Sequence, residues 1–241
     1  MKILKKNLTF YYYHIKDFII KTFFKRDPIF NSLVENGFAL IKDSYDLKTI
    51  NYQKYFDAND VNFSARKIDL EEKDVQTICG NIKQNIVNSI KLYLGKNLYT
   101  YENCLKLLGN AKSTDTSWQP HHDGKGRRLR LFIWLNKKDT NTHPFYYLKN
   151  SHKFLKKWSN HSETKFRDLS NKMDFIYPDY GDILIFDTNL IHSNFKTTSI
   201  PRNVINCCFE AVGPFNRINK KNFEFEANKL NLIGFNAIKS E

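Results

Sequence analysis

Several features that mark secreted, membrane-spanning or modular proteins are absent from the sequence. The four cysteines, Cys79, Cys104, Cys207 and Cys208, form no Cys-x-x-Cys pair. Isolated cysteines in apolar surroundings predict buried free thiols and a cytoplasmic protein. No apolar run reaches the 18 residues that a membrane-spanning helix needs. No repeat or low-complexity linker divides the 241 residues, a length that suits one sizeable domain.

The charge balance is basic but dispersed. The 38 Lys and Arg residues outnumber the 25 Asp and Glu residues, which gives a net charge of +13. No run of five basic residues forms the concentrated patch that a polyanion would bind. We therefore predict that nucleic acid is not the partner. The excess instead favours a small-molecule substrate with negative charge.

Residues 1–30 are predicted to form an N-terminal amphipathic helical segment. The segment begins like a signal peptide, but His14, Lys16 and Asp17 interrupt its apolar region and no small-residue cleavage site follows. Two interpretations stay open: the helix packs on the domain or on a second subunit, or residues 1–26 make a peripheral membrane contact. The apolar residues that recur at helical spacing are Leu8, Tyr11, Tyr12, Ile15, Phe18, Ile19 and Phe23.

Residues 31–241 are predicted to form a single domain that is helical at first and strand-rich later. Residues 71–94 have the apolar periodicity of a helix, with Asp69 as its cap and Gly95 as its stop. Short strands separated by turn residues indicate a barrel or sandwich, with the helices on one face. The fold class is therefore mainly β with flanking helices, and its core is a candidate jelly roll. The predicted strands lie at 38–41, 129–136, 144–150, within 174–188 and at 202–214, with one helical stretch between Phe154 and Lys172.

Two histidines and an aspartate are the candidate metal ligands. His121 and Asp123 are two residues apart, so in extended chain both point to one side, while His122 points away. His192 follows the apolar strand that begins at Gly181 and would bring a second imidazole to the site. Two His and one carboxylate form the facial triad of non-haem Fe(II) oxygenases, which leaves positions open for co-substrate and O2.

Arg202 is the candidate partner of an acidic co-substrate. It lies ten residues after His192, and turn-forming residues between them allow a hairpin to return it to the site. A guanidinium matches a carboxylate with two parallel donors. Within the strand 129–136, Arg130 and Trp134 share one face, and we predict that this face lines the co-substrate or substrate pocket.

Three stretches carry a resemblance to a known family: HHDG at 121–124, YYLKNSHKF at 146–154, and GDILIFDTNLIHSNF at 181–195 followed by Arg202. Together they resemble the phytanoyl-CoA dioxygenase-like family of Fe(II)/2-oxoglutarate-dependent oxygenases. GFALIKD at 37–43 is similar to that family's opening strand. The resemblance implies a double-stranded β-helix core, related to jelly rolls and cupins, at about residues 100–215.

The resemblance also implies an activity and a set of roles. His121, Asp123 and His192 would bind Fe(II), and Arg202 would bind the distal carboxylate of 2-oxoglutarate. Asn194 stands where the family often has a serine that assists this arginine. The implied enzyme uses O2 to hydroxylate an unactivated C–H bond of a small-molecule, lipid-linked or sugar-linked substrate, and releases succinate and CO2.

Other functions stay open on the sequence alone. One is a jelly-roll binding protein without catalysis, although all three candidate ligands are present. Another is an oxygenase that acts on protein or nucleic acid. Related DNA-repair oxygenases carry a second arginine six residues after the first, and Cys208 occupies that position here. Oligomeric state and substrate identity have no marker in the sequence.

Overall fold

The computed structural model describes residues 2–23, 27–55, 65–108, 120–123, 126–139, 144–153, 167–193, 202–212 and 233–234. The α-helices within these residues are α1 (Lys2–Phe23), α2 (Pro28–Asn36), α3 (Glu72–Asn81) and α4 (Gln84–Leu94). The strands are β1 (Phe38–Ile41), β2 (Ala65–Asp69), β3 (Leu98–Leu108), β4 (Leu129–Trp134), β5 (Phe145–Tyr147), β6 (Asp174–Ile176), β7 (Ile183–Asp187), β8 (His192–Ser193), β9 (Arg202–Ala211) and β10 (Ile233–Gly234).

Two antiparallel sheets form the body of the protein. The larger sheet has the order β1-β7-β4-β9-β3-β10, with β2 paired to β3, and the smaller sheet has the order β6-β5-β8. Consecutive strands such as β3 and β4 are not neighbours, because β9 lies between them. Crossed connections between two sheets are typical of jelly rolls. The structure thus confirms the predicted fold class.

Alternation along β4 separates two apolar cores. Leu129, Leu131 and Ile133 join the main core, where the larger sheet meets α2, α3 and α4. Phe132 and Trp134 point to the other face and join a second core between the two sheets. Successive residues of a strand face opposite ways, so a fully buried strand supplies both cores. The second core is the one that leads to the candidate metal centre.

Gly37 couples the opening strand to the end of β7. It terminates α2 with a φ of 83°, and its carbonyl accepts a hydrogen bond from the backbone of Asp187 at 2.8 Å. A Cβ atom at this position would lie 2.5 Å from Nδ1 of His152 and 2.9 Å from a methyl group of Leu190. Glycine is therefore required both for the backbone conformation and for the close packing.

The sequence predicted the strands of the second half better than the elements of the first. The predicted helix 71–94 was wrong as one element, because Ile82 adopts an extended conformation and separates α3 from α4. Asp69 is not its cap, since it lies in β2. Gly95 does end α4, where its N–H bonds to Lys91. Strands β2 and β3 were not predicted. The helix expected between residues 154 and 172 lies largely outside the described residues, and its described part, 167–172, forms a 3-10 helix.

The N-terminal segment forms helix α1, as predicted. None of the described helices has the length and apolar character needed to cross a membrane. All four cysteines are free and buried, which confirms the prediction for the thiols. The division of the chain at residue 30 stays a prediction.

Candidate metal centre

His121, Asp123 and His192 are brought together by backbone pairing. His121 and His192 form an isolated antiparallel bridge with N–H to O distances of 2.9 and 2.8 Å in the two directions. The N–H of Asp123 donates to the carbonyl of Thr188 at 2.8 Å. The segment around His121 is therefore held against the chain that follows β7, and three side chains from two distant parts of the sequence meet.

The ligand atoms of these three side chains face one another. Oδ1 of Asp123 lies 3.5 Å from Nε2 of His121 and 3.8 Å from Nε2 of His192. All ligand atoms of the group lie within 4.8 Å of one another. The group does not include His122, as the i, i+2 spacing predicted.

This donor set fits a divalent transition metal. Metal–ligand bonds of about 2.1 Å at right angles place neighbouring ligand atoms about 3 Å apart. Small side-chain rotations would bring the observed 3.5 and 3.8 Å to that value. One carboxylate and two imidazoles on one side of an ion leave its other positions open to further ligands.

His192 is oriented by its own backbone neighbourhood. Its Nδ1–H donates to the carbonyl of Leu190 at 2.9 Å, so the lone pair of Nε2 points toward Asp123. A metal-bound histidine normally has such an acceptor on its other nitrogen. Burial lowers the pKa of His192 to about 3, so the ring is neutral and able to bind a metal at physiological pH.

Arg130 orients the carboxylate of Asp123. Its Nε donates to Oδ2 of Asp123, which leaves Oδ1 to face the histidines. Its other nitrogens bind Oδ1 of Asn206 at 3.1 Å and Oε2 of Glu102 at 3.0 Å. Burial would raise the pKa of Asp123, but the charge of Arg130 holds it well below its usual value. The carboxylate is therefore ionised and fixed in orientation.

Arg128 holds the same aspartate by its main chain. Its Nη2 donates to the carbonyl of Asp123 at 2.7 Å, and its Nη1 donates to the hydroxyl of Tyr101 at 3.0 Å. Two arginines at the start of β4, Arg128 and Arg130, thus fix both the backbone and the side chain of one candidate ligand.

Arg202 is buried without an acidic partner among the described residues. It is 2% exposed, and its one hydrogen bond to these described residues is a long contact of 3.4 Å from Nη1 to the carbonyl of Pro144. Its Nε is buried and has no acceptor, and the same holds for Nε1 of Trp134, whose ring lies 5.2 Å from the guanidinium. Unsatisfied buried donors are uncommon and indicate a missing acceptor. A carboxylate is the acceptor that a guanidinium matches with two parallel donors.

An aromatic path joins Arg202 to the metal centre. The guanidinium lies 5.9 Å from the ring of Phe132, the Phe132 ring lies 5.2 Å from that of Phe186, and the Phe186 ring lies 4.9 Å from that of His192. Phe132 and Phe186 belong to the apolar core between the two sheets. The metal ligands and Arg202 therefore lie at the two ends of one row of aromatic side chains.

Lys106 is a site residue that the sequence did not reveal. Its Nζ lies 5.4 Å from the ring of Phe132, on which Arg202 also rests. Burial lowers its pKa to about 8. It was missed with β3 as a whole, although LYTYENCLKLL shows alternating apolar residues at its start. Asn194 lies outside the described residues, so its role stays a prediction.

The Ser-His pair of the YYLKNSHKF stretch makes structural contacts. Oγ of Ser151 accepts a hydrogen bond from the N–H of Ile191 at 2.7 Å. The ring of His152 donates from Nε2 to the carbonyl of Val34 at 3.1 Å. The first bond fixes the segment that leads into His192, and the second ties this turn to α2.

Comparison with known proteins identifies the fold. Neither a family model nor a curated protein sequence matches the chain. Solved structures do match it. The epimerase SnoN in complex with Fe3+, α-ketoglutarate and nogalamycin RO has a TM-score of 0.56 at 13% identity, covering 76% of this chain and 82% of SnoN.

Two further matches bind the same co-substrate. HygX from Streptomyces hygroscopicus, with nickel and 2-oxoglutarate bound, has a TM-score of 0.52 at 15% identity, and the match covers 76% of this chain and 86% of the HygX chain. EctD from S. alaskensis, with 2-oxoglutarate and 5-hydroxyectoine, has a TM-score of 0.54 at 16% identity, and the match covers 79% of this chain and 77% of EctD. The chain therefore has the double-stranded β-helix fold of 2-oxoglutarate-dependent enzymes.

Proposed function

We propose that the protein is an Fe(II)- and 2-oxoglutarate-dependent dioxygenase of the phytanoyl-CoA dioxygenase-like type that hydroxylates an unactivated C–H bond. One observation carries the proposal. Three ligands suited to Fe(II) stand at one end of the row of aromatic rings, and a buried arginine without an acidic partner among the described residues stands at the other. A molecule that chelates a metal at one end and carries a carboxylate at the other complements both ends.

His121, Asp123 and His192 would hold the iron. With 2-oxoglutarate and O2, bound iron would supply the oxidant that removes hydrogen from the substrate, with succinate and CO2 as products. His192 offers Nε2 because Leu190 holds its Nδ1–H. Asp123 offers Oδ1 because Arg130 holds its Oδ2.

Arg202 and Trp134 would bind the distal carboxylate of the co-substrate. Nε of the arginine and Nε1 of the indole are both buried donors that lack acceptors. Lys106 approaches the same region across the ring of Phe132 and would add a second positive charge. In buried surroundings, such charges act on a carboxylate more strongly than they would in solution.

The substrate we propose is a small molecule that carries negative charge. The small-molecule ligands named in the SnoN, HygX and EctD structures support this size class. The net charge of +13 and the buried Lys106 support an anion. This positive charge would attract an anionic ligand toward the site.

Succinate formation tests the function. The purified protein is incubated with Fe(II), 2-oxoglutarate and O2, and succinate is measured with and without pools of candidate anionic metabolites. We expect slow succinate release that a substrate accelerates. Asp123→Ala should abolish it, while the matched change Asp174→Ala, at an exposed carboxylate on β6, should leave it unchanged. Succinate release that survives Asp123→Ala would contradict the proposal.

A further inference from the structure

Helix α1 presents an apolar face to solvent. The exposed fractions are 60% for Ile15, 74% for Phe18, 48% for Ile19 and 77% for Phe23. These residues recur at helical spacing and so form one stripe. Tyr11 and Tyr12, 57% and 44% exposed, lie on the same side. A contiguous stripe of this size on a globular protein marks an interaction surface.

The opposite, polar side of α1 is the side that docks on the domain. Asp17, only 7% exposed, accepts two hydrogen bonds from the guanidinium of Arg127 at 2.8 and 2.6 Å. The guanidinium also stacks on the ring of Tyr93, 3.5 Å from its centre. Nζ of Lys16 donates to the carbonyl of Tyr93 at 3.3 Å. Lys21 also pairs with Glu35 of α2, and Ile20 packs on the main core. Helix α1 is therefore held through two ion pairs and this apolar contact, with its apolar stripe turned outward.

The charge of this segment indicates what covers the stripe. Residues 1–26 contain six lysines and one arginine but a single acidic residue, Asp17. That carboxylate forms the buried ion pair with Arg127. The remaining charge of the segment is positive. Aromatic residues flanked by basic ones are typical of helices that lie in the interface of an anionic bilayer.

We propose that α1 binds the surface of an anionic lipid membrane, lying along it with Ile15, Phe18, Ile19 and Phe23 inserted among the headgroups. A second copy of the chain is a less suitable partner for the exposed stripe, because pairing two such segments would bring like charges together. The proposal does not depend on the oxygenase activity. Arg127 adjoins Arg128, which bonds to the carbonyl of Asp123, so the same contact would hold the metal centre at a fixed position relative to the lipid.

Vesicle flotation with the full chain tests this inference. The vesicles are phosphatidylcholine alone, or phosphatidylcholine with phosphatidylserine as about a third of the lipid. We expect binding to the anionic vesicles, weakened when salt is raised from about 0.1 to about 0.5 M. The double variant Phe18→Glu/Phe23→Glu should bind at least about tenfold more weakly. Phe18→Ser/Phe23→Ser should also bind more weakly, which separates lost apolar contact from added negative charge.

A matched control shows that the effect belongs to α1. Phe175 on β6 is 54% exposed, so Phe175→Glu makes the same chemical change elsewhere and should leave binding unchanged. Because all three phenylalanines are exposed, the variants should keep the thermal stability of the wild type. The inference is overturned if the wild type does not float with anionic vesicles, or if Phe175→Glu weakens binding equally. It is also overturned if the wild type is a dimer that the α1 variant dissociates while neither protein binds lipid.

Discussion

Replacing Arg202 by methionine should stabilise the ligand-free protein and abolish its response to 2-oxoglutarate. Burial lowers the pKa of Arg202 from its ordinary value to about 9. At about 1.4 kcal/mol per pKa unit, keeping this charge in the ligand-free fold costs at most about 5 kcal/mol. Methionine keeps much of the apolar contact with Phe132 and Trp134 and removes the charge. We expect the free energy of unfolding to rise by about 2 kcal/mol, since relaxation reduces the cost.

The assay compares melting temperatures with and without 2-oxoglutarate, under anaerobic Fe(II). For a chain of this size, about 2 kcal/mol corresponds to a rise of roughly 4–8 °C in Tm. Co-substrate at about 100 times its Kd should stabilise the wild type by about 2.7 kcal/mol and the Arg202→Met variant by nothing measurable.

Arg127→Met is the matched control for this substitution. Arg127 is equally buried but is paired with Asp17. Its loss leaves an uncompensated carboxylate, so this variant should be less stable by about 3–5 kcal/mol. If Arg202→Met lowers Tm as Arg127→Met does, Arg202 has a partner in the ligand-free protein and the reasoning is refuted.

Three further predictions concern the surroundings of the site. Arg130→Lys should lower Fe(II) affinity by about 10- to 100-fold in an anaerobic competition assay, because lysine cannot hold Oδ2 of Asp123 and also contact its present partners; unchanged affinity would argue against an orienting role. Gly37→Ala should destabilise the protein by more than about 2 kcal/mol in denaturant titration, given the 2.5 Å approach to His152, whereas Gly80→Ala, with open space around it in α3, should stabilise it by up to about 1 kcal/mol. Burial lowers the pKa of His152 to about 4, so as the pH falls below 6.5 this residue binds a proton in the unfolded chain but not in the folded chain. The free energy of unfolding should therefore fall by about 2 kcal/mol on reaching about pH 5. His152→Gln should remove that part of the pH dependence, and a variant whose stability depends on pH as the wild type's does would contradict the role of His152.

The second half of the chain was the predictable half. Apolar alternation in β4 and a glycine-led strand before His192 identify the sheets, and the i, i+2 spacing places His121 and Asp123 on one side. Strand β3 was missed because Glu102, with a φ of 49°, and a register shift between Tyr101 and Cys104 interrupt its alternation.

Other features depend on contacts that only the folded chain creates. The orientation of α1 follows from contacts that its polar residues make with the domain, chiefly the buried ion pair between Asp17 and Arg127 and the pair between Lys21 and Glu35. Periodicity alone would have turned its apolar side inward. The isolation of Arg202 likewise depends on what surrounds it in space. A sequence identifies an arginine but not whether its acceptor comes from the chain or from a ligand.

The most direct test of the proposed function is anaerobic titration of the purified protein with Fe(II) and then with 2-oxoglutarate, followed by visible absorption. Chelation of iron by the keto acid should produce a charge-transfer band. Asp123→Ala should lose the band because it binds iron weakly, and Arg202→Met should bind iron normally but require much more 2-oxoglutarate. Iron binding without any band would contradict the assignment of 2-oxoglutarate as co-substrate. Failure of the wild type to bind iron would contradict the assignment of His121, Asp123 and His192 as a metal centre.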